Sequence, residues 1–348
     1  MNWTTLDDTI IFDCEFKTEL DINLISPYSK LIFSNYKLNK VLSEYNINNK
    51  SNEKLFEYYT NNNIDISEYK GSKFSCDVSK LSLNTTHLVF GSIFNEDVSN
   101  LPSSLTYLTF GSYFNRDVSK LPPSLTHLSF GRFFNQNVSS LPHSLIHLTF
   151  GHGFNQDVSV LPPILTHLTF GTCFNQDVSN LPQGITHLTF GKYFNQNVLN
   201  LPQGITHLTF GNDFNKDVST LPISLTHLTF GTNFNQDVSR LPLALIYLKF
   251  GSNFDNDISF LPSKLEYLIL GYSFNKNINL LPQTLTHLTL GYKFNQECNI
   301  LSNIKYLKLN SNISHIVNYL PNSIVELELD YGFNLQIDNL PTSIKKLV

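Results

Sequence analysis

From Leu81 to Ile300 the chain repeats itself every 20 residues, eleven times and without an insertion, so that LTHLTFGTCFNQDVSNLPQG at Leu165–Gly184 is followed by ITHLTFGKYFNQNVLNLPQG. A short, strict period of this kind confines a chain to a solenoid, in which one unit forms one turn and packs mainly on its two neighbours. The two ordinary domains that 348 residues would otherwise permit are set aside. With Leu161 as position 1 of its unit, twelve of the fifteen prolines fall at position 2, and twenty-two of the twenty-eight phenylalanines fall at position 10 or 14 once Phe74 and Phe333 are counted.

Within a unit, Leu at position 8 and Phe at position 10 flank a polar residue, usually Thr, the alternation of a strand with one buried face. Gly at position 11, from Gly91 to Gly291, ends the strand at a turn or a close backbone approach. Pro at position 2 has a fixed φ and no N–H, which predicts an extended or polyproline II arm on the outer wall. Burying the six apolar side chains of one unit, Leu161, Leu165, Leu168, Phe170, Phe174 and Val178, yields about 1.5–3 kcal/mol each. Ordering twenty residues of backbone costs about 1–2 kcal/mol each, so a unit is stable only between neighbours. Asn fills position 15 in ten units and Asp255 in the eleventh. An amide with donors and an acceptor suits a corner where backbone groups need partners, which predicts a structural ladder.

The spacing L-x-x-L-x-F, then V, then L-P resembles the twenty-residue class of leucine-rich repeats. The Phe-Asn pair at positions 14 and 15, with the strand SLTHLTFG and the following LP, is similar to the FNIP repeat, a leucine-rich-repeat relative of social amoebae and giant DNA viruses. That resemblance spans residues 71–348 and implies a β-rich, leucine-rich-repeat-like solenoid. About fourteen 20-residue turns would form a curved stack with a parallel sheet on one face. It also implies a non-catalytic protein–protein interaction scaffold that binds a protein partner through the concave face and the adjacent rim.

Residues 1–70 differ in kind: Pro27 is their single proline, and the apolar residues of INLISPYSKLIFSNYKLNKVLSEY are spaced in a helix-compatible way. A small helical segment that caps the first turn is the plain expectation. Some FNIP proteins carry an F-box, a helical module that docks a ubiquitin-ligase adaptor, and residues 6–31 bear a loose likeness to it without its Leu-Pro start. The second expectation is therefore a substrate-recognition subunit of an F-box-type ligase complex, with the adaptor bound through residues 1–70.

A net charge of −5 and the absence of any block of five like charges argue against nucleic acid or a polybasic membrane patch as partner. Cys14, Cys76, Cys173 and Cys298 lie far apart with no CxxC spacing, so neither a disulfide framework nor a zinc site is expected, and a cytoplasmic or other intracellular setting, the host cytoplasm for a viral protein, fits best. No phosphate-binding loop, dinucleotide fingerprint or hydrolase motif appears, and a stack of like turns displays columns of like groups rather than a convergent catalytic set. Neither an enzymatic activity nor a cofactor nor a metal is expected.

Two features remain as candidate binding surfaces. Position 7 is a column facing away from the core on the concave side, containing His127, His147, His167, His187, His207 and His227, with His87 and His287 further out and Tyr107, Tyr247 and Tyr267 interspersed. Adjacent members lie about 4.8 Å apart. Positions 12 and 13, just past the strand, vary freely while their surroundings hardly change, which marks an exposed rim. Its aromatic and basic members Tyr113, Arg132, Phe133 and Tyr193 are the expected partner-binding anchors, forming one strip.

Overall fold

The computed structural model describes residues 3–6, 9–12, 30–33, 78, 81–296, 300, 302–309, 320–329 and 340–348. The chain divides into two compact units, Met1–Phe174 and Asn175–Val348, and both are built as parallel β-solenoid with turns of about 20 residues.

In the first unit, β1 (Trp3–Leu6) and β2 (Thr9–Phe12) form an antiparallel pair, and β2 is followed in parallel by β3 (Lys30–Phe33). From there every step is parallel: β4 (His87–Val89), β5 (Tyr107–Thr109), β6 (His127–Ser129), β7 (His147–Thr149) and β8 (His167–Thr169). The second unit continues the pattern with β9 (His187–Thr189), β10 (His207–Thr209), β11 (His227–Thr229), β12 (Tyr247–Lys249), β13 (Tyr267–Ile269) and β14 (His287–Thr289). It ends with β15 (Tyr306–Leu309), β16 (Glu326–Leu329) and β17 (Lys346–Leu347). Within the regular repeat each residue pairs with the one 20 positions on, as in Leu208 with Leu228. Leu288 pairs with Leu307, 19 positions on, whereas Leu307 pairs with Leu327, 20 positions on, so the one-residue shortfall falls between β14 and β15.

The helical expectation for residues 1–70 is overturned where they are described, since Thr9–Phe12 and Lys30–Phe33 are strands. Leu31 pairs with Leu88 and both are fully buried, so KLIF occupies the position-8 slot of one more turn, and sheet pairing outweighs the local helical spacing. The remainder of the proposed cap or F-box-like module, and its adaptor contact, lies outside the described residues.

Three tight turns link one strand to the next. The position-14 N–H bonds to the Gly carbonyl at position 11 (Phe114 to Gly111, 3.3 Å), position 1 to position 18 (Leu121 to Val118, 3.4 Å), and position 5 to the Pro carbonyl at position 2 (Leu125 to Pro122, 3.2 Å). The arm expected to be extended is thus a Leu-Pro step held between two turns. Proline cannot donate, yet its free carbonyl closes the second of them.

Leu at positions 1, 5 and 8, Phe at 10 and 14 and Val at 18 make the core. The two phenylalanines of one turn stack at 3.7 Å, as Phe150 does on Phe154, and each continues onto the next turn at 5.7 Å (Phe150 to Phe170) or 6.1 Å (Phe154 to Phe174). At the facing corner the side-chain oxygen of each position-15 residue accepts the position-15 N–H of the next turn, as from Asn135 to Asn115 Oδ1 at 2.9 Å. Asp255 fits this ladder because only an acceptor is needed: it takes the Asn275 N–H at 2.8 Å, and Lys276 balances its charge at 3.1 Å.

Candidate functional site

The residue on either side of the buried position-8 leucine emerges on the outward face of the sheet. In the first unit this places His87, Tyr107, His127, His147 and His167 in one column of stacked rings, with centroid spacings of 4.3, 3.9, 4.3 and 4.1 Å. In the second, His187, His207 and His227 stack at 4.3 and 4.2 Å.

Except at His147, which follows Ile146, a threonine precedes each histidine of the column and bears on its tautomer. Thr126 Oγ1 donates to the Thr106 carbonyl at 3.1 Å and lies 2.9 Å from His127 Nδ1. A hydroxyl carries one proton, so the ring must supply the other: Nδ1–H donates to Oγ1, and Nε2 becomes the acceptor directed outward. The same pair of contacts recurs at His167, His207, His227 and His287. Parallel rings aim these lone pairs side by side rather than at a common point. Among the described residues no group of three or more His, Cys, Asp or Glu side chains is placed to hold a metal ion.

Charging His127, His207 and His287 is unfavourable. Burial, and then the neighbouring His147, His87 and His167, hold His127 down to about 4. His207 is lowered by burial and by His227 and His187. His287 is lowered by burial and Lys305 against an opposing pull from Glu266 and Glu326. An unfolded histidine titrates near 6.5, so between about 6.5 and 4 the unfolded chain binds protons that the folded chain refuses. The column's contribution to stability is therefore complete above pH 6.5 and is lost as pH falls through that window. The denaturation midpoint of the wild-type chain is expected to drop between pH 7.5 and pH 5, and to drop less in a His127→Gln/His147→Gln/His167→Gln variant. Equal drops in the two proteins would remove the column as the cause.

Beyond β14 the face changes character. Lys308 and Lys346 pair with Glu328 and Glu326. The Tyr306 hydroxyl, pushed up to about 12 by burial and by its bond to Glu328, completes this group.

The rim lies just past the strands. Tyr113 and Phe133 are half-exposed, with ring centroids 5.0 Å apart, and the Arg132 guanidinium sits 5.6 Å from the Phe133 centroid. Tyr113 and Phe133 are held by N–H bonds to the Ser92 and Ser112 carbonyls, so the rim backbone is fixed while its side chains vary. Gly153 follows Phe133, and beyond it Cys173 Sγ lies 3.6 Å from His152 Nδ1. Tyr193, the fourth expected anchor, belongs to the second unit, where the Lys192 ammonium lies 5.0 Å from its ring centroid. Tyr113, Phe133 and Arg132 thus form a cluster within the first unit, and Tyr193 pairs with Lys192 within the second.

Another aromatic cluster was not singled out from the sequence. Tyr272 and Tyr292 stack at 5.0 Å with planes 8° apart, and Lys293 lies 5.7 Å from the Tyr272 centroid. Their recurrence at position 12 one turn apart was the available signal. Between these clusters the rim is self-bonded, with Asn233 donating to Asp213 at 3.1 Å and Asn253 to Asn233 at 3.0 Å. No helix among the described residues is long and apolar enough to cross a membrane.

Comparison with known proteins agrees with this geometry. A structure described as CroV588, a novel circular LRR protein, from a giant virus, matches at 38% identity and a TM-score of 0.79, over 98% of this chain and 49% of its own. The chain thus spans about half the length of that relative. The functional domain of InlJ from Listeria monocytogenes, described as including a cysteine ladder, matches at 17% identity and a TM-score of 0.51, over 92% of this chain and 67% of that one, which speaks to the fold alone. The curated proteins give no match. The FNIP Repeat profile matches eight segments, 78–113, 97–133, 114–153, 134–173, 154–193, 174–213, 194–233 and 234–273, which together cover more than half of the sequence. With its Phe stacks, its Asn ladder and its 20-residue turns, the chain belongs to the FNIP repeat family.

Proposed function

We propose that this protein is a non-catalytic scaffold that binds a protein partner through the rim and the adjoining strand face. The observation that carries the reading is the cluster of Tyr113, Phe133 and Arg132, where two half-exposed rings and a guanidinium stand together at positions the core does not constrain. Aromatic and Arg side chains are the groups that most often dominate binding energy. The imidazoles and threonines beside them present hydrogen-bonding groups without a charge to desolvate at neutral pH. A leucine-rich-repeat-like solenoid is a fold typically used for protein binding.

Affinity capture from the native cell supplies a partner for the test. The Tyr113→Ala/Arg132→Ala/Phe133→Ala/Tyr193→Ala variant is expected to bind it at least about 30-fold more weakly, the loss of one strong anchor. Its circular dichroism and denaturation midpoint should stay close to wild type, because none of the four side chains lies in the core. Wild-type affinity in that variant would rule out the rim as the recognition surface.

A further inference from the structure

Charge is spread unevenly over the turns of the first unit. Carboxylates stand at the position-17 corner, where Asp117 and Asp157 each accept the N–H of the serine two residues on. The rim and the strand face are different. From Thr86 to Cys173, positions 6, 7, 9, 12 and 13 hold Thr, Ser, His, Tyr, Gly, Cys and apolar residues, and Arg132 is the only Lys, Arg, Asp or Glu among them. That one cation stands in the aromatic cluster: its guanidinium lies 5.6 Å from the Phe133 centroid, and the Phe133 ring lies 5.0 Å from that of Tyr113. The two rings are 45% and 51% exposed. A guanidinium is always charged and carries five N–H donors in a planar fork. A partner that covers the rings also draws the cation beside them out of water, which is costly unless a counter-charge and hydrogen bonds replace that water.

We propose that the partner docks on the first unit through an acidic side chain, an Asp or Glu next to an apolar or aromatic residue, with the carboxylate on Arg132 and its neighbour against Tyr113 and Phe133. The inference rests on the reading of the rim as the recognition surface and adds the chemistry of what is recognised. A carboxylate matches the guanidinium fork with two parallel hydrogen bonds, the strongest pairing open to it. The neutral imidazoles, threonines and serines around it bring no second charge, so a single acid beside apolar groups suits this face better than a run of them. Nucleic acid, the other anionic macromolecule, is held by several cations along its phosphates, and here there is one. A like set stands on the rim of the second unit, where Tyr272 and Tyr292 stack at 5.0 Å and Lys293 lies 5.7 Å from the Tyr272 centroid. Lys249, Glu266 and Lys308 also charge the strand face of that unit, so one cation sets the sign only in the first.

The probe is a phage-displayed library of random peptides, selected on the immobilised full chain at about 0.05 M salt, where exposed charges are weakly screened. Peptides enriched on the wild type are expected to carry Asp or Glu beside Phe, Tyr, Trp or Leu. A synthetic copy of the commonest sequence should bind the Arg132→Glu variant about 10-fold or more weakly. Arg132→Lys, which keeps the charge but not the fork, should fall between the two. Selection on Arg132→Glu itself should enrich Lys or Arg in place of the acid. Arg132 is exposed, so circular dichroism should not change, and Arg132→Gln serves if the reversal disturbs the rim. No enrichment on the wild type, enriched peptides without an acid, undiminished binding by Arg132→Glu, or a single-stranded DNA that binds as tightly as the peptide would each overturn the proposal. A captured partner that the quadruple alanine variant loses, but that Arg132→Glu holds at wild-type affinity, would also overturn it and would leave the rim standing as the recognition surface.

Discussion

Gly231→Ala is expected to cost more than about 4 kcal/mol, a loss reserved for changes that break a structural element outright, although it adds a single methyl group. A Cβ on Gly231 would lie 2.1 Å from the Gly211 carbonyl oxygen, 2.3 Å from the carbon of that carbonyl and 2.7 Å from the Asn212 Cα. All three are backbone atoms, so no rotamer change relieves the clash. The turns would have to separate, and they are tied together on both sides of the glycine. The Phe210 N–H bonds to the Thr229 carbonyl at 2.9 Å, the Asn233 N–H to the Asn212 carbonyl at 2.8 Å and the Asn235 N–H to Asn215 Oδ1 at 2.9 Å. Gly204→Ala is the matched control. There a Cβ meets only the Gln183 and Ile185 carbonyl oxygens at 3.6 and 3.7 Å, ordinary contact distances, so the change should be neutral or stabilise by up to about 1 kcal/mol through the unfolded chain. Urea denaturation of the two variants separates these outcomes. Stabilities within about 1 kcal/mol of each other would mean that position 11 is not a close backbone approach.

The same physics decides what was legible in the sequence. Position 11 reads Gly in eleven successive units because each backbone crosses the last too closely for any side chain, and a demand made by every turn leaves a mark in every turn. Phe174, Leu168 and Val178 could be assigned to the core for that reason. Asn135 and its equivalents were expected to bridge turns, and they do so through one oxygen, which also explains why Asp255 is tolerated. The arm was harder to read: Pro122 announces its own φ but not that its carbonyl would accept the Leu125 N–H and close a turn. At Lys30–Phe33 the local spacing suits a helix, and only the pairing of Leu31 with Leu88 of β4, 57 residues downstream, decides otherwise; such a contact leaves no periodic trace. Binding surfaces lie at the opposite extreme. The rim was visible as variation against a constant background, yet that variation could not show that Tyr113, Arg132 and Phe133 meet while Tyr193 stands with Lys192 in the other unit.

Phe174→Ala should lower the stability of the chain by about 3–5 kcal/mol, the range for truncating a fully buried aromatic. Phe174 has no exposed surface, its ring stacks at 3.7 Å on Phe170 of its own turn, and Phe154 follows at 6.1 Å on the turn before. The upper part of that range is favoured by how little the cavity can close. Collapse would require the turns to approach one another, and Gly171 already stands where a Cβ would lie 1.9 Å from the Gly151 carbonyl oxygen. The backbone there is at its limit of approach and the void must persist, which is the condition under which large-to-small substitutions cost most. Tyr113→Ala provides the contrast, since its half-exposed ring touches Phe133 on the rim and its removal should cost less than about 1 kcal/mol. Denaturation midpoints of the two variants at neutral pH measure the difference. A loss below about 1 kcal/mol for Phe174→Ala would show that the position-14 column is a lining of the corner rather than part of the load carried by the core.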